Sequence, residues 1–482
     1  MSSVLFDGST VIRPQARVRV DDQGLIPTVL GAANVLMMFG PALGGQPKTI
    51  ISLTDPQEAR RILIGGDLLT AALAAWGPSE ELPGASTIQL VRVNPATQSQ
   101  KNFQDSVPAD LLNLKSLDYG VWTTGIQAKI EAGTTSGKKV TIQYAAGGVT
   151  EVFDNLANVA AVVAAINNPT SGSTLVLATF IAEGTLTNVA FTPLVGGSEG
   201  TLANSDWQDG FNLMNSHPAN VYQAVTADAS VHALLISQNL LTVPKLPGIV
   251  INGHGLSETL SAVLARQASH ASSYRSALIT PGIKKFDSNG NVVTMPSYLS
   301  SAPQLAGLIC GLPLQRPPTY KTLAGLGLEK DYSQADLDTL EQSGVIGIEN
   351  IPNRGLRIVH GQTNWTSDLN AMKREISVGR IRDLLSVTLK TDLEAFVGEP
   401  GTQFTIAAIK ARVESVMTEA RNANFITDGV DNAGNPQPAF RNILVRFNSA
   451  SGIAYVEVEA SPVTPVNYVL ITAHFTATNI VA

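Results

Sequence analysis

Apolar positions along the chain recur with two periods, and the changes between them predict its elements. After Arg374, Ile381, Leu384, Leu385, Leu389, Leu393 and Phe396 recur at three- and four-residue steps, which places them on one face of a helix. Gly398-Glu399-Pro400-Gly401 stops it, and Thr405 is expected to cap a second helix with a narrower stripe of Ile406, Ile409, Val413, Val416, Met417 and Ala420. The pair reads as a helical hairpin. Beyond a turn-rich break at 428–438, residues 442–447, 453–460 and 466–478 are rich in Val, Ile, Tyr and Phe and read as strands. The last run comes close to the carboxyl end, with nothing after it to cover its edge, and an uncovered edge is a template for another chain. At the other end, residues 4–20 contain the alternating Ala16-Arg17-Val18-Arg19-Val20. Two extended ends flanking a compact body point to strand donation between copies.

Between these ends the pattern changes twice. Residues 28–39 read as a buried strand and 50–53 as a shorter one; Asp55-Pro56-Gln57-Glu58 opens a helix, 68–76 forms another, and 88–93 returns as a strand. That order predicts an α/β unit. From about residue 102 to 223, Gly, Thr, Ser and Ala dominate, with strands expected at 126–131, 138–144 and 174–178 around an apolar helix at 158–167. Residues 225–346 return to α/β character, with strands at 246–251 and 276–279, a helix at 257–269, a hairpin over 283–295 and a small-residue helix at 303–312.

Composition narrows the function classes. The 482 residues suffice for about three domains. Charged residues make up only 15% of the chain against roughly 25% in ordinary soluble domains, which suggests surface destined to be covered. No apolar run reaches the roughly 18 residues of a membrane span, and the N-terminus lacks the pattern of a signal peptide, so a soluble, cytoplasmically made protein is expected. Cys310, the single cysteine, lies in an apolar run and reads as a core thiol. A net charge of −7 without a Lys/Arg cluster argues against duplex nucleic acid as partner.

Two short motifs invite an enzymatic reading. Gly196-Gly197-Ser198-Glu199-Gly200 matches the nucleophile-elbow pattern, which needs a core strand before it and a helix immediately after it. Pro193 interrupts the approach, and no helix is expected before Asn204, so the motif reads as a glycine-rich turn. Gly253-His254-Gly255 follows a strand, but Glu258 stands where a third glycine would admit a pyrophosphate, and its carboxylate would repel one. The histidines at 217, 232, 254, 270, 360 and 474 lack metal-ligand spacing. No catalytic, cofactor or metal residue is assigned. The alternatives are an α/β hydrolase-like or nucleotide-binding enzyme with a β insertion, using Ser198 or the Gly253 loop, and a β-rich adhesin.

A family resemblance runs along nearly the whole chain. Ser377-Val378-Gly379-Arg380-Ile381, Phe396-Val397-Gly398 and the closing Pro462-Val463-Thr464-Pro465-Val466-Asn467-Tyr468 resemble the C-terminal domain of contractile tail sheath proteins. Residues 52–63 and Gln89-Leu90-Val91-Arg92-Val93-Asn94 resemble its N-terminal module, Leu117-Asp118-Tyr119-Gly120 and residues 194–200 the insertion of one branch, and residues 302–309 and 315–321 its core. The resemblance implies an α+β or α/β multidomain fold: an extended arm at 1–22, a discontinuous α/β sheath module at 23–101 with 224–350, an inserted β-rich domain at 102–223, a C-terminal core of two helices and a small sheet at 351–465, and a donated strand at 466–482. It implies a structural subunit, not an enzyme, that polymerises helically around a tail tube and contracts to drive it through the host envelope. Its partners would be other copies of itself, the tube, baseplate and tail terminator proteins, with neither nucleic acid nor an inserted membrane. Val4, Val11, Val18, Val20, Tyr468, Leu470, Thr472 and Phe475 would lie in donated strands, and Leu444, Arg446, Tyr455, Val456 and Val458 in the acceptor sheet. Lys373, Arg374, Arg380, Arg382 and Lys390 would face an acidic tube. The setting would be a virion tail assembled in a bacterial cytoplasm.

Overall fold

The computed structural model describes residues 4–6, 9–11, 34–242, 248–270, 273–287, 289–368, 370–430 and 433–467. The chain divides into two compact units, one of Met1–Ala32 with Leu384–Ser461 and a larger one of Ala33–Asp383 with Pro462–Ala482.

A nine-stranded sheet organises the larger unit. Val345–Ile351, Ser276–Thr280, Ile249–Asn252, Val221–Ala224, Val35–Gly40 and Thr87–Arg92 run parallel in that order. Ile50–Leu53 closes one side antiparallel, and Gly355–Ile358 followed by Thr322–Leu323 closes the other. The central strands Val221–Ala224, Ile249–Asn252 and Ser276–Thr280 are buried at every position because helices cover both faces. Alternation sorts their side chains: Leu36 and Met38 join a core with the helices Asp67–Trp76 and Ser301–Gly311. Met37 and Phe39 instead meet Trp207, Phe211, Val231 and Leu235 on the helices Asn204–Asn212 and Ala229–Thr242. Helix Ser301–Gly311 is buried from Ser301 through Cys310. Its small residues allow close approach: a methyl built on Gly307 would lie 1.9 Å from the Ala75 carbonyl oxygen. Burial in this helix pushes the Cys310 thiol up to about 12.

Residues 100–193 build two further sheets around a core of their own. One has the order Val149–Leu156, Lys138–Tyr144, Ile126–Ala132, Val189–Pro193, the other Val176–Phe180, Asp110–Ser116, Gln100–Gln104. Helix Val159–Ile166, capped by the Asn158 side chain, packs Val162 and Ile166 into the shared apolar interior. The strand expected at 174–178 lies at Val176–Phe180, because Ser173 and Thr174 are held in a turn by Glu151.

A buried arginine fastens this region to the large sheet. Arg92, at the end of Thr87–Arg92, is wholly buried and donates to the Gly45 and Tyr119 carbonyls and, at 2.5 Å, to Glu199. Asn94 joins Glu199 at 2.9 Å. Burial lowers the guanidinium pKa, and Glu199 and Asp118 oppose that shift.

The smaller unit contains helix Gln403–Asn422, the last part of helix Ile376–Glu394 and a strand hairpin. The cap of the second helix falls at Thr402 rather than Thr405. Thr402 is extended and its hydroxyl accepts the Thr405 amide at 3.2 Å, which makes Thr405 a residue of the first turn. Ile409, Val413, Val416, Met417 and Ala420 are buried, and Arg412 pairs with Asp392 of the preceding helix at 3.2 Å.

Candidate assembly site

Strands Phe440–Asn448 and Ile453–Ala460 form a sheet of two, antiparallel and in register from Leu444↔Glu457 to Asn448↔Ile453. The register shifts between Arg441 and Leu444, where Asn442 adopts φ 55°, a conformation that asparagine tolerates better than most residues. Alternation gives the hairpin two faces. Ile443, Val445, Phe447, Val456 and Val458 are half-buried, and Phe447 packs so closely on Gly401 that a methyl there would meet its ring at 2.2 Å. Leu444, Arg446, Tyr455 and Glu457 point outward, with Tyr455 52% exposed. The residues assigned to an acceptor sheet thus divide between the faces: Leu444, Arg446 and Tyr455 outside, Val456 and Val458 inside.

Cross-strand ion pairs, Arg441 with Glu459 at 2.7 Å and Arg446 with Glu457 at 3.2 Å, decorate the outer face. Such exposed pairs contribute little stability. A two-stranded sheet is marginal by itself, and among the described residues both outer edges of this one lack a partner strand.

Near the N-terminus, Val4–Phe6 and Ser9–Val11 pair with each other, Val4 opposite Val11. A single extended arm was expected there; Asp7-Gly8, a hairpin-turn dipeptide, separates the two segments in the sequence. Val18, Val20, Tyr468, Leu470, Thr472 and Phe475 lie outside the described residues.

The five cations expected to face a tube occupy unlike surroundings. Lys373 lies 4.1 Å over the Trp365 ring and 3.8 Å from Asp368. Arg374 donates to Gln362 and lies 3.8 Å from Glu341. Arg380 is buried, and burial lowers its pKa to about 10. Arg382 bonds Asp383 and the Met372 carbonyl and stacks on Tyr274. Lys390 is half-exposed and 3.9 Å from Glu394. Arg374, Arg380 and Arg382 are therefore largely engaged within the chain, while Lys373 and Lys390 present more of their charge outward.

At the enzymatic motifs, the Ser198 hydroxyl bonds Thr97 at 2.8 Å, and the next helix begins at Asn204. A strained elbow is not formed. Glu258 accepts the Gly255 amide and pairs with Arg266 at 2.6 Å, filling the loop where a phosphate would sit. A methyl on Gly253 would lie 2.4 Å from the Tyr298 amide nitrogen, so that glycine serves close packing. Among the described residues, no group of His, Cys, Asp and Glu could hold a metal ion, and no helix is long and apolar enough to cross a membrane.

Two polar networks escaped the sequence reading: the Arg92–Glu199 clasp and a second around His360, Glu375 and Asn467. A charged residue closing the strand-like run Ile88-Gln89-Leu90-Val91 was the available signal for the first.

No family model matches the chain. The tail sheath protein of Bacillus phage SP01 is 24% identical over 573 aligned positions, covering 98% of this chain and 97% of the relative. The solved sheath tail protein of Desulfitobacterium hafniense superimposes with a TM-score of 0.67 at 14% identity, covering 95% of this chain and 97% of its own. The helical sheath of the anti-feeding prophage in its contracted state gives a TM-score of 0.56 at 10% identity, covering 96% and 98%. Over nearly its whole length, the chain is similar in sequence to phage tail sheath proteins and in fold to solved sheath proteins.

Proposed function

We propose that this chain is the structural subunit of a contractile tail sheath, polymerising helically around a tail tube and shortening to drive the tube through a host cell envelope. The observation that carries the reading is the Phe440–Asn448/Ile453–Ala460 hairpin, whose two edges have no partner strand among the described residues. An open helix needs head-to-tail contacts that do not close on themselves, and strands added to such edges provide them without a cofactor. Residues 4–20 and 468–478 are the donors in this reading, and the hairpin is the acceptor.

Main-chain bonds of this kind tether neighbouring copies while other surfaces change partners. Val397 and Phe404, each 83% exposed, are apolar surface available for burial as copies repack, at roughly 1.5–3 kcal/mol for a large side chain fully covered. Summed over many subunits, burial of this kind makes the contracted state the lower one, with the extended state held by a barrier. Lys373 and Lys390 are the tube-facing cations best placed to act; baseplate and terminator proteins would bound the polymer. The setting is a virion tail assembled in the bacterial cytoplasm, and the role is structural, not enzymatic.

Deleting residues 1–20 tests it. The expected product has the circular dichroism of the full chain and forms no sleeves when tube protein is supplied; normal sleeves from the truncated chain would refute strand donation by this end.

A further inference from the structure

Residues 462–467 carry the chain from the hairpin onto the larger unit, and Asn467 is held there among buried charges. Its amide nitrogen donates to Glu375 Oε1 at 2.8 Å and lies 3.3 Å from His360 Nε2. The imidazole bridges two carboxylates, Nδ1 to Glu341 at 2.6 Å and Nε2 to Glu375 at 2.8 Å. Gln362, fully buried, donates to Glu341 at 3.0 Å and accepts from Arg374 at 3.1 Å. The groups facing His360 come from separate elements: Glu341 from helix Gln334–Gln342, Arg374 from the turn Ala371–Arg374, Glu375 from the junction before helix Ile376–Glu394, and Asn467 from the segment after the hairpin.

The charges balance only when the imidazole is protonated: two carboxylates against Arg374 and His360. Burial opposes that proton, but the bonds to Glu341 and Glu375 prevail and raise the His360 pKa to about 9. A buried ionic network adds little net stability compared with apolar packing, yet it holds its members in one geometry and penalises any that shift. The segment it holds leads directly into residues 468–482. A strand displaced by one residue turns every side chain to the wrong face, so a fixed anchor just ahead of a donor strand limits the registers open to it.

We propose that Glu375 and His360 form a socket for Asn467 that anchors the chain immediately ahead of residue 468, and that this anchor sets the register of the C-terminal donor strand of the proposed function on a second copy of this chain. The register role rests on the sheath reading; the socket itself does not.

Hydrogen exchange of the full-length chain, read on peptides covering 462–467, separates the two. Asn467→Ala and Glu375→Gln each lower protection there by about tenfold or more, with the nine-stranded sheet unchanged. The exchanged pair Asn467→Asp with Glu375→Gln places a Gln donor against an Asp acceptor, keeps the net charge and restores protection. In the wild type, protection of 462–467 falls as pH rises through about 9, and in His360→Gln that transition is missing. Equal protection in Asn467→Ala and wild type, or failure of the exchanged pair to restore what the single changes lose, overturns the socket. For register, Asn467→Ala with tube protein gives few or irregular sleeves; loss of protection accompanied by normal sleeves overturns that role. If the wild type forms no sleeves with tube protein, the sheath reading falls while the exchange result still decides the socket.

Discussion

Gly307→Ala and Gly379→Ala make the same chemical change in two helices, with opposite expected signs. In helix Ser301–Gly311 the new methyl would lie 1.9 Å from the Ala75 carbonyl oxygen, 2.6 Å from its carbonyl carbon and 2.7 Å from its Cα. All three atoms are backbone of helix Asp67–Trp76, so no side chain can swing aside, and one helix must move off the other. Overpacking a tight core costs about 1–3 kcal/mol or more. The gain in helix propensity, up to about 1 kcal/mol, offsets only part of that. At Gly379 the nearest atoms are 3.8 and 3.9 Å away, ordinary contact distances, so propensity acts alone. A stabilisation of a few tenths to about 1 kcal/mol is expected there. Differential scanning calorimetry, with hydrogen exchange on strands Ile249–Asn252 and Ser276–Thr280, reads both variants. A Gly307→Ala protein as stable as wild type would refute the argument that bare backbone contact between these helices limits the core.

Acid should weaken the larger unit. His232 and His270, with ring centroids 6.3 Å apart, are held neutral by burial and by nearby Arg266, which lower their pKa values to about 3 and about 4. Depressed histidines bind protons more readily in the unfolded chain, so stability falls as pH drops below about 6.5 and keeps falling until the folded pKa values are reached. His270→Phe flattens that decline in urea titrations between pH 6.5 and 4; an unchanged slope would count against the pair as its source. Glu199→Ala strips the fully buried Arg92 of its carboxylate, at an expected cost of about 2–4 kcal/mol. Limited proteolysis should then cut within 100–193 sooner, and adding Arg92→Met should recover part of the loss; additive effects in the double variant would deny the coupling.

What the sequence disclosed follows from how far apart the causes lie. Buried parallel strands such as Ser276–Thr280 and the strand Lys138–Tyr144 were legible because their own residues carry the pattern. The second C-terminal helix was legible from its stripe, but its start was misplaced because Thr402 and Thr405 are both plausible caps and only backbone geometry decides between them. Pairing of Val4 with Val11 was missed because alternation at 16–20 suggested one long arm. At the candidate assembly site, β character at 442–447 and 453–460 was evident, whereas the division of Leu444 and Val456 onto opposite faces follows from the cross-strand pairing of Leu444 with Glu457 and of Val445 with Val456. The polar networks were illegible for a simpler reason: Arg92 and Glu199 stand 107 residues apart, as do His360 and Asn467, and no local pattern links them.

Electron microscopy of the purified full-length chain, alone and with tube protein, tests the central claim most directly. Hollow striated sleeves of uniform width, forming at least when tube protein is present, are the predicted result. Dispersed monomers or small closed oligomers under both conditions would contradict it.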